Sequence, residues 1–173
     1  SLARGKAEIS NFAPGKDCQA TVRCLRALGV EIQKSKLGNL PANVILRTQQ
    51  TQQTQGTLAV SGTGDYGFKE AANVLNAGDS GTTMRLLSGL LSSQPFMSVI
   101  TGDASLRSRP MGRLIKPLRS MGAEIWGRGK DSFAPLVIRG RELHGIDFTL
   151  SVPSAQVKSA ILLAGLFAQG NTV

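Results

Sequence analysis

The chain has 173 residues, 41% hydrophobic and 18% charged, which describes an ordinary soluble globular protein of one domain or slightly more. Twenty Lys and Arg face eleven Asp and Glu, giving a net charge of +9, so anionic partners are favoured. With six Phe, one Tyr and one Trp, and basic residues scattered rather than run together, the pattern speaks against nucleic acid and for small phosphorylated metabolites.

In chain order, the pattern predicts a strand at Ala7–Ser10 and an amphipathic helix at Cys18–Leu28 with Asp17 as its N-cap. Gly29 stops that helix and a strand follows at Val30–Lys34. Strands at Val44–Thr48 and Thr57–Ser61 flank a polar hairpin loop, Gln49–Gln55. Asn76–Arg85 is small, hydroxylated and glycine-rich, and runs into an apolar helix at Thr82–Leu91. A strand at Met97–Thr101 leads to Gly102–Arg113, where Pro110 suits the first turn of a helix at Pro110–Met121 and sets Arg109 at its entrance. Strands are expected at Glu124–Arg128, Leu136–Arg139 and Gly145–Leu150. Ser154–Ala160 then opens a second apolar helix at Gln156–Phe167.

Leu25–Ile32 recurs as Leu118–Ile125, each copy ending a helix, turning at glycine and starting a strand. The chain therefore reads as α/β, built from repeated units. Its ends look cut: Ser1–Lys6 resembles the tail of a helix, and Gly170–Val173 stops where a turn would feed a strand.

Three segments carry the candidate chemistry. The helix entrances near Ser80 and Ser154 offer unpaired N–H groups and partial positive charge, which suit an anionic, hydroxylated ligand. Between them, Arg107, Arg109 and Arg113 form a potential fork for carboxylate or phosphate oxygens. Asn76–Arg85 is neither a Walker loop nor the Gly-x-Gly-x-x-Gly of a dinucleotide fold. Cys18, Cys24 and His144 make no zinc pattern and no disulfide framework, so reduced thiols in a cytosol-like compartment are expected. The apolar runs are too short to span a membrane, and no signal peptide is visible.

Leu75–Leu86, Arg109-Pro110-Met111 with the helix and turn through Ile125, and Ser154–Ala160 resemble, in order, three signatures of the 5-enolpyruvylshikimate-3-phosphate synthase family, or 3-phosphoshikimate 1-carboxyvinyltransferase. The resemblance covers nearly the whole chain. It implies a lobe of repeated βαβαββ units, of the inside-out α/β barrel type and truncated at both ends, with residues 1–173 forming most of the amino-terminal lobe and the second lobe absent. It implies transfer of the enolpyruvyl group of phosphoenolpyruvate to shikimate 3-phosphate, on the route to chorismate and aromatic amino acids, without metal or organic cofactor. Gly81, Arg109 and Gln156 would bind phosphoenolpyruvate, and Ser154, Ala155 and Gln156 would bind shikimate 3-phosphate. Arg85 would brace its loop rather than touch substrate. No catalytic acid or base is assigned within the chain, so the fragment alone is expected to be inactive. A cytoplasmic monomer without nucleic-acid or membrane partners is expected at full length. Asp79 departs from the family's usual Asn; either pairing with a neighbouring base such as Arg85 accommodates it or it weakens binding. The alternatives are UDP-N-acetylglucosamine enolpyruvyl transferase, disfavoured because Ala104–Met111 has no cysteine, and a basic nucleic-acid-binding module of similar fold.

Overall fold

A computed structural model of the chain describes residues 2–13, 15–35, 56–64 and 67–173. The elements are β1 (Arg4–Phe12), α1 (Lys16–Ala27), β2 (Glu31–Ser35), β3 (Gly56–Thr63), β4 (Leu75–Asn76), α2 (Gly81–Leu91), β5 (Met97–Thr101) and α3 (Ala104–Arg107). They continue as α4 (Gly112–Ser120), β6 (Glu124–Gly127), the single turn α5 (Arg128–Asp131), β7 (Phe133–Arg139), β8 (Leu143–His144), α6 (Ala155–Gly165) and β9 (Ala168–Gln169).

The strands form sheets ordered β1-β3-β2, β4-β5-β7-β6 and β8-β9. In the four-stranded sheet β4 and β5 run parallel, while β7 runs antiparallel to both β5 and β6. The three-stranded sheet repeats the β5-β7-β6 arrangement, again antiparallel, and β8-β9 repeats the parallel β4-β5 pair. One βαβαββ unit thus runs whole from β4 to β7, with the closing part of another before it and the opening part of a third after it. The repeated α/β architecture expected from the sequence is present.

The recurring octapeptide explains itself in backbone terms. Gly29 N donates to Arg26 O (2.9 Å) and Val30 N to Leu25 O (3.0 Å), while Gly122 N donates to Arg119 O (2.9 Å) and Ala123 N to Leu118 O (3.0 Å). These are paired Schellman stops, and both glycines take positive φ, +85° and +99°. In each copy the arginine then reaches across the turn: Arg26 Nε donates to Ile32 O at 3.0 Å and Arg119 Nε to Ile125 O at 2.9 Å. One short sequence thereby builds helix, turn and strand start twice.

α2 buries Met84, Leu87, Leu90 and Leu91 together with Ser88 and Gly89, so it is enclosed on nearly all sides. β1 shows the opposite pattern, exposed at every position except the half-buried Phe12. α2 thus lies inside and β1 at the surface. α2 and α6 touch backbone to backbone: a Cβ built on Gly89 would sit 2.2 Å from Ala160 O. Only glycine permits that approach, and it brings the two helix entrances side by side.

Five local expectations change. Arg4–Lys6 belongs to strand β1, paired with β3, and not to the tail of a helix. α1 is capped by Gly15, not Asp17, which lies in the first turn where its carboxylate still complements the helix dipole. α4 starts at Gly112 after Met111, so Pro110 precedes the helix rather than opening it. Gly145–Leu150 forms no regular strand; Gly145 N donates to Gln169 O (2.7 Å) and Phe148 N to Val173 O (2.8 Å), an irregular pairing beyond β8. α6 ends at Gly165, two residues before Phe167. Val44–Thr48 and Gln49–Gln55 lie outside the described residues.

Candidate anion site

The α2 entrance is assembled by small polar residues. Asn76 Oδ1 accepts from Gly78 N (2.8 Å), turning the chain toward Ser80. Ser80 caps the helix by accepting from Thr83 N at 3.1 Å, and its oxygen also receives the Thr83 hydroxyl at 2.7 Å. Thr83 in turn lies 2.7 Å from the Thr21 hydroxyl of α1. Gly81 and Thr82, at the first two helical positions, keep N–H groups without an intrahelical acceptor.

The α6 entrance is looser. Ser154 Oγ accepts from Val157 N at 3.4 Å, a long bond, and the side chain is half-buried. Ala155 is exposed and offers only its backbone. Gln156 stitches the two entrances together: its Oε1 accepts from Arg85 Nη1 at 2.9 Å, and its Nε2 donates to Thr82 Oγ1 at 2.9 Å.

The third wall comes from the segment between α3 and α4. Arg107 does not join it, because Nη1 turns back onto Gly102 O at 3.1 Å. Arg109 and Arg113 do, and Arg85 takes the place expected of Arg107. Together with Ser154 and Gln156 these three arginines line a cavity of about 180 Å³. Gly81 lies against two of these arginines, since a Cβ there would be 2.6 Å from Arg85 Nη1 and 3.1 Å from Arg109 Nη1.

The charges in this cavity are uncompensated. Burial pushes the Arg85 guanidinium below its ordinary pKa, and the neighbouring Arg109 and Arg113 charges push it further. Among the described residues the ion pairs are Arg119–Asp131 and Arg141–Glu124, both elsewhere. The expected pairing of Asp79 with Arg85 is not formed. Three guanidinium groups and two helix N-termini, with no carboxylate among the residues lining the cavity, suit phosphate or carboxylate oxygens. A larger cleft of about 1290 Å³, bordered by Met97, Arg139, Arg141 and Gln169, has no such convergence, and its Arg141 is already paired.

Gly81, Arg109, Ser154 and Gln156 are thus brought into one site, with Ala155 on its rim. Arg85 braces its loop as expected, donating to Gly81 O at 3.2 Å and Pro110 O at 3.4 Å, and in addition lines the cavity. Thr82, the anchor of Gln156, was not singled out for that role from the sequence; its spacing of three from Arg85 puts both on one helix face and was the available signal. Cys18 and Cys24 are free thiols. Burial raises Cys24 to about 11, which keeps it protonated and unreactive near neutral pH. No group of three metal-ligating side chains occurs among the described residues, and no helix there is long and apolar enough to cross a membrane.

A family model described as EPSP synthase (3-phosphoshikimate 1-carboxyvinyltransferase) matches residues 1–173. The chain is 52% identical over 172 residues to the 3-phosphoshikimate 1-carboxyvinyltransferase of Desulforudis audaxviator, and 48% identical to that of Desulforamulus reducens; each alignment covers 99% of this chain and 36% of the relative. It is similar to a solved structure of EPSP synthase from Acinetobacter baumannii, with a TM-score of 0.86 and 44% identity over 99% of this chain and 35% of that one. The chain spans about a third of the length of the proteins it matches.

Proposed function

This chain belongs to the EPSP synthase (3-phosphoshikimate 1-carboxyvinyltransferase) family, and from that premise we propose that it supplies the arginine-rich half of a site that transfers an enolpyruvyl group from phosphoenolpyruvate to the 5-hydroxyl of shikimate 3-phosphate. The observation that carries this reading is the convergence of unpaired Arg85, Arg109 and Arg113 on two helix entrances. Both substrates are phosphorylated carboxylates, and such ligands neutralise that cluster.

Arg109 holds phosphoenolpyruvate by a charge-assisted pair, with the Gly81 N–H close to the same ligand. Ser154 contributes hydroxyl and backbone to shikimate 3-phosphate, Ala155 its backbone alone, and Gln156 lies between the two substrates. As the new carbon–oxygen bond forms, the phosphate leaves carrying extra negative charge, and preorganised guanidinium groups stabilise that charge. The cluster holds guanidiniums, hydroxyls and an amide, none of them a base at neutral pH, so the proton transfers fall to groups outside it. The setting proposed is the cytoplasm, and the whole enzyme a monomer.

Titration calorimetry of the chain with shikimate 3-phosphate tests the reading. Expected is weak binding that fades as salt rises, because exposed charges are screened, with no phosphate released when phosphoenolpyruvate is added to the chain alone. Preference for a UDP-sugar, or binding indifferent to both salt and the phosphate group, would overturn it.

A further inference from the structure

The stretch that carries Arg109 is tied on its α3 side by Ser108, whose N and Oγ reach Ser105 O at 3.2 and 2.8 Å, and through Pro110 O, which accepts from Arg85 Nη2 at 3.4 Å. It lies between the end of α3 at Arg107 and the start of α4 at Gly112, and Pro110 has no N–H to give. Arg109 N reaches Leu106 O at 3.1 Å. The turn between β6 and β7 comes up against this stretch and grips it on both sides. Ser132 O accepts from Met111 N at 2.8 Å, and Arg128 Nη2 donates to Arg107 O at 3.2 Å. Arg109 is bracketed between those two bonds.

The bracket is held in a conformation its residues do not choose. Gly129, Lys130 and Asp131 have successive φ values of 64°, 55° and 64°, the left-handed region that lysine and aspartate rarely occupy. What holds it is visible. Asp131 Oδ1 accepts from Gly127 N at 2.9 Å, and Oδ2 pairs with Arg119 Nη1 at 2.7 Å. Arg119 belongs to α4, the helix that the Arg109 stretch feeds into. The Arg128 guanidinium is kept in place over the Phe133 ring, 5.4 Å from its centroid. Hydrogen bonding to Arg119, then to Gly127 N, keeps the Asp131 carboxyl below its usual range, so the pair persists at neutral pH. Neither Arg128 nor Asp131 lines the small arginine cavity.

Resting on the reading of that cavity as an anion site, we infer that the β6–β7 turn positions Arg109 for its anion, with Arg128 and Asp131 as positioning residues. Arg109 is exposed, and a long exposed side chain samples many guanidinium positions. Fixing the carbonyl before it and the N–H after it narrows that range, so less order is lost when phosphate oxygens are gripped.

The test uses the chain labelled with 15N-arginine and titrated with inorganic phosphate, following the Arg109 Nε–H signal, assigned from its loss in Arg109→Lys. In Arg128→Met and in Asp131→Ala, the apparent dissociation constant for phosphate is expected to rise about three- to tenfold. The Arg109 signal should broaden before phosphate is added, while the Arg85 signal, tied to Gln156, keeps its position. Arg128→Met removes the bonds to Arg107 O and Ala134 O and the charge over Phe133 from an exposed side chain, and it decides the matter if Asp131→Ala fails to fold. Unchanged affinity and an unchanged Arg109 signal in Arg128→Met overturn the positioning role and leave the anion site standing. No phosphate response in the parent chain overturns both.

Discussion

The entrances of α2 and α6 look alike in sequence, small hydroxylated residues running into an apolar helix, and behave differently in the fold. At α2, Ser80 is buried and its oxygen is occupied by Thr83, which itself meets Thr21 from α1. At α6, Ser154 is half-buried, its capping bond is long, and Ala155 beside it is exposed. The first entrance has used its hydroxyl groups inside the protein; the second leaves the Ser154 hydroxyl only half-buried. Burial separates the two roles, because a hydroxyl enclosed by protein must be satisfied there.

Separating the helices should have the largest effect. Gly89→Leu places a side chain against the Ala160 carbonyl, where even a Cβ would be 2.2 Å away. The helix-propensity gain is at most about 1 kcal/mol, and overpacking should outweigh it with a net loss of about 3 kcal/mol. Urea unfolding measures this. An unshifted midpoint would mean that the two entrances are not held together at this contact.

Arg109→Ala tests the ligand side of the comparison. Losing a charged hydrogen-bond donor should weaken phosphoenolpyruvate binding by about 1.5–3 kcal/mol, roughly ten- to hundredfold, and shikimate 3-phosphate binding by less. Calorimetric titrations with each compound give both numbers. Equal losses would remove the assignment of Arg109 to the donor substrate.

The two caps can be set directly against each other by thermal denaturation. Ser80→Ala removes a buried cap and the bond it receives from the Thr83 hydroxyl, which keeps Thr21 as a partner, so it should lower stability by about 1–2 kcal/mol. Ser154→Ala should lower it by about 0.5 kcal/mol or less and show its effect in shikimate 3-phosphate affinity instead. If both proteins melt alike, the division into a structural and a ligand-facing entrance is wrong.

The smallest effect is expected for Gly81→Ala. The added carbon meets the tips of Arg85 and Arg109, flexible groups that can shift, and gains helix propensity in return. Stability should stay nearly constant while anion affinity falls by about 0.5–1 kcal/mol, two- to fivefold. A phosphate titration beside a melting curve separates these outcomes. Loss of stability with intact affinity would make Gly81 a packing residue only.

Much of this protein was decided by sequence alone. Gly29 and Gly122 end helices because only glycine takes that φ cheaply, and the arginine three residues before each closes the same turn, so the repeat was legible as local chemistry. The apolar run after Ser80 announced an enclosed helix, whereas the one after Ser154 leaves Leu162 and Leu166 exposed. Gly81, Arg109, Ser154 and Gln156 were legible as candidates that the fold brings close together. Tertiary structure decided where side chains with several available partners go. Arg107 turned back to Gly102 while Arg85 entered the cavity, and Asp17 yielded the cap to Gly15. It also drove Lys130 and Asp131 into left-handed backbone that their own preferences oppose. Backbone stops depend on a few neighbouring residues, whereas the direction of a long charged side chain depends on whatever surface and acceptors the rest of the fold brings beside it.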